Sequence, residues 1–304
     1  MTLPFISFAE GEKYLDWLGL AQALADGHAL PKADIGDTFL YRDPDTILSR
    51  SAWIDGLGAA VKTATIFPGN SARGETMING LVCLYSDRDG TVDGMLDFHL
   101  ITKWKTAADS LLGALRLALP DSRRILIVGA GTVSASLCEA FHAGFPKAEI
   151  QLWNRSGDKA QALAAAYPYA SAVEDLASAV NAADIILTAT MSSEPVIRGE
   201  WLRPGQHLNM IGAYRPDMRE ADDAALQRSR IYVDSFDTTL DHIGELKIPL
   251  ASGAIQRSDV LADFYGLDAF APDPNAITLF KNGGGAHLDL ITSRYVFDRW
   301  SAAK

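Results

Sequence analysis

Apolar positions recur at helical spacing over residues 8–27, at Tyr14, Leu15, Leu18, Leu20, Ala21 and Leu24, and predict one helix there. After Leu30-Pro31 the pattern becomes short extended runs: 39–41, 46–49, 59–67, 78–86 and 94–98. Turn residues such as Pro68-Gly69-Asn70 and Asp87-Arg88-Asp89-Gly90 separate them, as in an antiparallel sheet. Helical spacing resumes over about 103–119, with Trp104, Ala108, Leu111, Leu112, Leu115 and Leu119 on one face. From Arg124 onward apolar strands alternate with helices. Strands are expected from Arg124 and at 149–154, 184–190, 206–212 and 231–235, with helices at 132–145, 157–167 and 174–181. That rhythm predicts a doubly wound parallel sheet. The tail beyond Ile277 is expected to return to the N-terminal domain.

The join of the first of these strands to its helix carries chemistry. The apolar run from Arg124 ends in Gly129-Ala130-Gly131-Thr132-Val133-Ser134. Its first glycine suits a tight turn, and its second lets backbone amides approach a pyrophosphate at a helix N-terminus. Ser134 replaces the usual third small residue. At the end of the next strand, where an NAD site needs a carboxylate for the ribose 2′-hydroxyl, stand Asn154, Arg155 and Ser156, with Lys159 one turn later. A guanidinium pairs with a 2′-phosphate and a carboxylate repels it. The expected cofactor is therefore NADP(H), with NAD(H) as the alternative; the competing account of Arg155 is a solvated surface arginine.

The 304 residues are 48% hydrophobic and 21% charged, enough for two domains with cores of their own. A formal net charge of −11 argues against nucleic acid and anionic membranes as partners. An anionic substrate would then need a local basic cluster. Cys83 and Cys138 lie in apolar runs and read as core residues, without a disulfide framework or zinc site. That cysteine usage fits a reducing cytoplasm, the expected location; no basic leader with an apolar stretch is legible at Met1-Thr2-Leu3-Pro4-Phe5, and no run is long enough to span a bilayer.

Lys62 stands among small and apolar neighbours in 59–67. It either emerges at a sheet edge, where a lysine discourages aggregation, or is desolvated in a cleft, which lowers its pKa and makes it a proton donor near neutrality. At roughly 100° per residue, Lys105 lies at the border of its helix's apolar face and Lys103 on the far side. Both fall in the expected first turn, where the dipole disfavours cations. Lys105 becomes explicable if a substrate carboxylate sits beside it, whereas Lys103 reads as solvated. Arg73 is either an anion contact or surface decoration. His99, His207 and His287 show no metal-ligand spacing, and no metal is expected.

Several segments follow one another in a familiar order: Val61-Lys62, Phe67-Pro68-Gly69-Asn70, Ala72-Arg73-Gly74, Thr102, Lys105-Thr106-Ala107-Ala108 and Gly129-Ala130-Gly131. Gly212-Ala213-Tyr214-Arg215-Pro216-Asp217-Met218-Arg219-Glu220, Gly244-Glu245-Leu246 and Phe280-Lys281, leading to Gly285-Ala286 and Asp289, complete the set. In these the chain resembles the ornithine cyclodeaminase/mu-crystallin family over nearly its whole length. The resemblance implies an α/β fold in which a Rossmann-type dinucleotide domain, 120–280, is inserted between the halves of an α+β dimerisation and substrate domain, 1–119 plus 281–304. It also implies a homodimer paired through the outer sheets.

The resemblance further implies an NADP-preferring oxidoreductase of the family's ketimine reductase branch, acting on 2-imino acids. Cyclic ones such as Δ1-pyrroline-2-carboxylate or Δ1-piperideine-2-carboxylate would give L-proline or L-pipecolate. Lys62 would protonate the imine nitrogen, and Lys105, with Arg73 and Tyr214 nearby, would meet the substrate. Thr188-Ala189-Thr190 and Gly212 would position the nicotinamide. Alternatives are reductive amination of an open-chain 2-oxo acid, ornithine cyclodeamination, and a non-catalytic NADPH-binding protein. Tyr214 stands where ornithine cyclodeaminases carry an aspartate, and with a reference pKa of about 10 it cannot serve as a carboxylate base. Lys105 replaces the family's carboxylate-gripping arginine and loses its two-pronged geometry. The family's N-terminal arginine has no clear counterpart; Lys32 is the nearest cation, with Arg42 and Arg50 as rivals.

Overall fold

The computed structural model describes residues 3–304; Met1 and Thr2, where the expectation of no leader begins, lie outside them. Two compact units are found. The first joins the chain up to Lys105 with Gly284–Lys304, and the second is Thr106–Gly283.

The first unit holds a six-stranded sheet. Its strands are β1 (Phe5–Ile6), β2 (Asp34–Arg42), β3 (Asp45–Ile54), β4 (Gly58–Ile66), β5 (Ile78–Tyr85) and β6 (Val92–Asp97), in the order β1-β6-β5-β4-β3-β2. The expected antiparallel meander forms β2 to β6, and the two-residue β1 adds a parallel pairing on β6 that the sequence pattern did not predict. Alternation on β4 buries Gly58, Ala60, Lys62 and Ala64 on one face, as period-two side-chain direction requires. The final helix, Ala286–Ala302, packs on β3 and β4 and against the Trp17–His28 helix. The opposite face leaves Leu40, Ile47, Trp53 and Leu81 exposed.

Two helical expectations change here. The single helix over 8–27 is broken, because Asp16 turns extended and accepts the Gly19 N–H at 2.6 Å, capping a separate helix from Trp17 to His28. The later helix begins at Phe98 rather than near 103, since Asp97 Oδ1 accepts from the amides of His99 and Leu100 at 2.8 and 2.9 Å. Lys103 and Lys105 therefore lie in its second turn, not its first. Trp17 stacks on Trp104 with ring centroids 3.9 Å apart, and both are buried.

The second unit is an eight-stranded, wholly parallel sheet. It comprises β7 (Arg124–Val128), β8 (Glu149–Trp153), β9 (Ala170–Ala172), β10 (Ile185–Thr188), β11 (His207–Met210), β12 (Ser229–Val233), β13 (Val260–Ala262) and β14 (Ile277–Lys281). The order β13-β12-β14-β11-β10-β7-β8-β9 reverses direction between β7 and β10. Ile125 to Val128 are fully buried, the near-continuous apolar run typical of a parallel strand covered on both faces. The expectation for the tail is corrected at its start: Ile277–Lys281 does not leave the sheet but inserts between β12 and β11. Only from Gly284 does the chain belong to the first unit. No helix among the described residues is long and apolar enough to cross a membrane.

Candidate active site

In the first unit the central position of β4 removes the edge reading of Lys62. Arg50 on β3 and Val82 on β5 flank it in register. Lys62 is 6% exposed, and its Nζ donates to Asp289 Oδ1 at 2.9 Å and to Thr102 Oγ1 at 2.8 Å, 4.6 Å from the centre of the Phe98 ring. Burial pushes its pKa down to about 8; Asp289 resists the shift, and Lys105 and Arg50 add to it. The final helix supplies Asp289, whose Oδ1 also lies 3.1 Å from Lys105 Nζ. Burial raises that carboxyl, but Lys105, Lys62 and Arg50 outweigh it and hold the pKa down to about 2.

A backbone carbonyl completes the cluster. Gly284, at φ +71°, accepts from Lys105 Nζ and from Arg50 Nη1, both at 2.9 Å. Arg50 is also paired with Asp37 at 2.8 Å. Among the described residues, Lys62, Lys105 and Arg50 face Asp289 and Asp37, a local basic cluster in an acidic chain that suits a substrate carboxylate. Buried His287 abuts His28 edge-on, with ring centroids 5.1 Å apart, and burial holds its pKa well below the ordinary value, with His28 and Lys105 adding.

Of the three N-terminal cations, the structure brings Arg50 into this cluster. Lys32 is exposed, and exposed Arg42 is paired with Asp45 at 2.6 Å. Arg73 is exposed beside Glu75 and Asn70 and is not drawn in. Lys103 is not merely solvated: its Nζ donates to Glu12 at 2.6 Å.

In the second unit the order reversal puts the C-terminal ends of β7 and β10 side by side, where open α/β sheets bind ligands. Gly129 has φ +122°, and a Cβ there would lie 2.6 Å from the Ala189 carbonyl oxygen. Only glycine suits that position. A Cβ on Gly131 would meet nothing within 4 Å, so space is open above the following turn. Gly131 opens the Thr132–Gly144 helix without a side-chain cap, which leaves the first amides of Thr132, Val133 and Ser134 for an anion. Ser134 Oγ is buried with no hydrogen-bond partner among the described residues. Gly129 N–H donates to Trp153 O at 2.8 Å, tying this loop to the end of β8. There Asn154 donates to Ser156 O at 3.0 Å, and Arg155, Ser156 and Lys159 are exposed. These residues fit a dinucleotide: a cradle of amides, then two cations at the ribose end.

Behind Thr188, Ala189, Thr190 and Gly212 lies a buried carboxylate. Glu220 accepts from Thr188 Oγ1 at 2.8 Å, from Thr190 N and Oγ1, each at 2.7 Å, and from Gly212 N at 2.7 Å. A Cβ on Gly212 would sit 1.9 Å from Thr190 O. Glu245 in turn accepts from the amides of Glu220 and Ala221 at 2.6 and 3.0 Å. Burial and the neighbouring Glu220 push its pKa up to about 7, against the pull of Lys281. Tyr214 is 59% exposed, with the Arg215 guanidinium 5.8 Å from its ring centre.

Sequence reasoning left three functional positions without roles: Asp289, Glu220 and Glu245. Asp289 and Glu245 stand as carboxylates in apolar or glycine-flanked settings, whereas Glu220 lies among other charges, between Arg219 and Ala221-Asp222. Leu288-Asp289-Leu290-Ile291 is the clearest case, because a charge so placed demands a partner.

Comparison with known proteins gives four further findings. Residues 54–304 match the ornithine cyclodeaminase/mu-crystallin family. The chain is 48% identical over 303 residues to a Δ1-pyrroline-2-carboxylate reductase of Paracoccus denitrificans, covering 96% of this chain and 95% of that one. It is 34% identical over 249 residues to the ketimine reductase mu-crystallin of Mus musculus, covering 80% and 76%. In fold it is similar, with a TM-score of 0.90, 24% identity and 98% of each chain covered, to the Thermococcus litoralis Δ1-pyrroline-2-carboxylate reductase solved with NADH and L-proline.

Proposed function

The chain belongs to the ornithine cyclodeaminase/mu-crystallin family, and from that premise we propose that it reduces cyclic 2-imino acids, Δ1-pyrroline-2-carboxylate foremost, to the corresponding L-amino acids. The reduced nicotinamide supplies the hydride when bound. The observation that carries the reading is buried Lys62, an ammonium with a pKa of about 8 that shares Asp289 with Lys105.

The residues divide the work as follows. Lys105 and Arg50 attract the substrate carboxylate, and Asp289 keeps the two lysines together. Lys62 gives one proton to the imine nitrogen as the adjacent carbon gains hydride, so that C=N becomes CH–NH and Lys62 is left as the neutral amine. Thr190 and Gly212, fastened by Glu220, support the nicotinamide end of the dinucleotide site. NADPH is the proposed preference, supported by Arg155 and Lys159 at the end of β8. Arg73 and Tyr214 are proposed as outlying substrate contacts, since both are exposed.

Two copies are proposed to pair through the sheet face bearing Leu40, Ile47, Trp53 and Leu81. An exposed apolar face of this kind marks an association surface. The domain limits proposed are 1–119 with 281–304, and 120–280. The test of function is oxidation of NADPH and NADH by the purified protein with cyclic imines, set against 2-oxo acids with added amine. Turnover of the cyclic imine without added amine supports the reading, and turnover only when a 2-oxo acid and an amine are both supplied overturns it.

A further inference from the structure

Thr102 lies four residues after Phe98 in the same helix, and its Oγ1 donates to the Phe98 carbonyl at 2.8 Å. A threonine hydroxyl has one proton, so toward Lys62, 2.8 Å away, this oxygen can only accept. A second N–H of Lys62 goes to Asp289 Oδ1. The third has no oxygen or nitrogen partner among the described residues.

We infer that Thr102 is a positioning residue for proton transfer: with its own proton committed to Phe98, it fixes the rotation of the Lys62 ammonium so that the third N–H is the one given to the imine nitrogen. The inference rests on the reductase reading above. When that N–H bond breaks and the new bond to the imine nitrogen forms, Lys62 keeps its remaining two protons on Thr102 and Asp289. Its new lone pair then points where the proton left. The reduced nicotinamide provides the hydride, and the balance is one C=N reduced to CH–NH. A hydroxyl free to rotate would instead donate to the neutral amine and hold it in an unproductive orientation. The commitment to Phe98 prevents this. The charged groups facing Lys62 are Asp289 from the final helix, Lys105 from the Thr102 helix and Arg50 from β3.

The experiment compares the unmodified protein with Thr102→Val and Thr102→Ser, using Δ1-pyrroline-2-carboxylate and saturating NADPH or NADH across neutral and alkaline pH. Thr102→Val keeps the shape and removes the acceptor. It is expected to lower kcat about 10–100-fold, the scale of a misaligned reacting group, while KM for imine and dinucleotide stays near its original value. Its alkaline limb should move to lower pH, because the ammonium loses an acceptor. Thr102→Ser should restore both. If Thr102→Val does not fold, Thr102→Ala carries the same expectation. An active protein whose Val or Ala variant keeps its kcat and pH limb, or whose loss serine does not rescue, overturns this inference alone. An unmodified protein that reduces no cyclic imine with either dinucleotide overturns the reductase reading and this inference with it.

Discussion

Lys62 Nζ and Asp289 Oδ1 stand 2.9 Å apart, although 227 residues separate them in the chain. The pair joins the central strand of one sheet to the last helix, and both partners are almost wholly buried. A buried ion pair costs desolvation on both sides, and removing one partner leaves the other charge stranded.

Asp289→Asn is therefore expected to destabilise the protein by about 3–5 kcal/mol at neutral pH. The carboxyl is held at about 2 in the fold, below its ordinary value of 3.8. Its contribution is present above the unfolded value and lost as pH falls through about 2. The gap in stability between the original protein and the Asn variant, measured by urea unfolding, should narrow as pH drops through that window. A gap that is constant with pH contradicts the pairing. The same substitution removes the charge that holds the Lys62 pKa up, so in the folded variant activity should fade at lower pH than in the original protein.

How far this pair was legible in the sequence depends on which link is considered. The Arg124–Ser134 strand–turn–helix was readable because its apolar run, glycines and helix start lie in one short segment. Lys62 was readable as an anomaly. Whether it stood at a sheet edge or at the centre depended on β3 and β5 pairing on either side, which local alternation does not encode. Arg50 was only one of three candidate cations, because its claim rests on register with Lys62 and on the Gly284 carbonyl from the far end of the chain. The start of the Phe98 helix was misplaced because Asp97, the last residue of a strand, doubles as its cap. Local pattern does not place Ile277–Lys281, since the insertion of β14 between β12 and β11 is a matter of topology alone.

Arg155→Ala is expected to weaken NADPH by about 1.5–3 kcal/mol, the worth of a charged hydrogen bond, and to leave NADH unchanged. Fluorescence titration of the two dinucleotides reads both. An equal loss for NADPH and NADH assigns Arg155 a role other than holding the 2′-phosphate.

Glu245 offers a stability signature of its own. Its pKa is about 7 in the fold against an ordinary value of 4.5, so between those limits the folded state binds more protons than the unfolded one. Stability from this group is fully present below the unfolded value and declines as pH rises through about 7. Relative to Glu245→Gln, the original protein should lose Tm across that window. Parallel Tm curves for the two would show that the carboxyl titrates alike in the folded and unfolded chain and would contradict the raised value.

The role of Lys62 is tested by the initial rate of NADPH oxidation with Δ1-pyrroline-2-carboxylate, measured for the original protein and for Lys62→Ala, alongside the dinucleotide dissociation constant of each. If Lys62 is the proton donor, the original protein forms proline rapidly, the variant does so about 10²–10⁴-fold more slowly, and the two bind the dinucleotide equally. A Lys62→Ala protein that reduces the imine at the original rate would contradict that role.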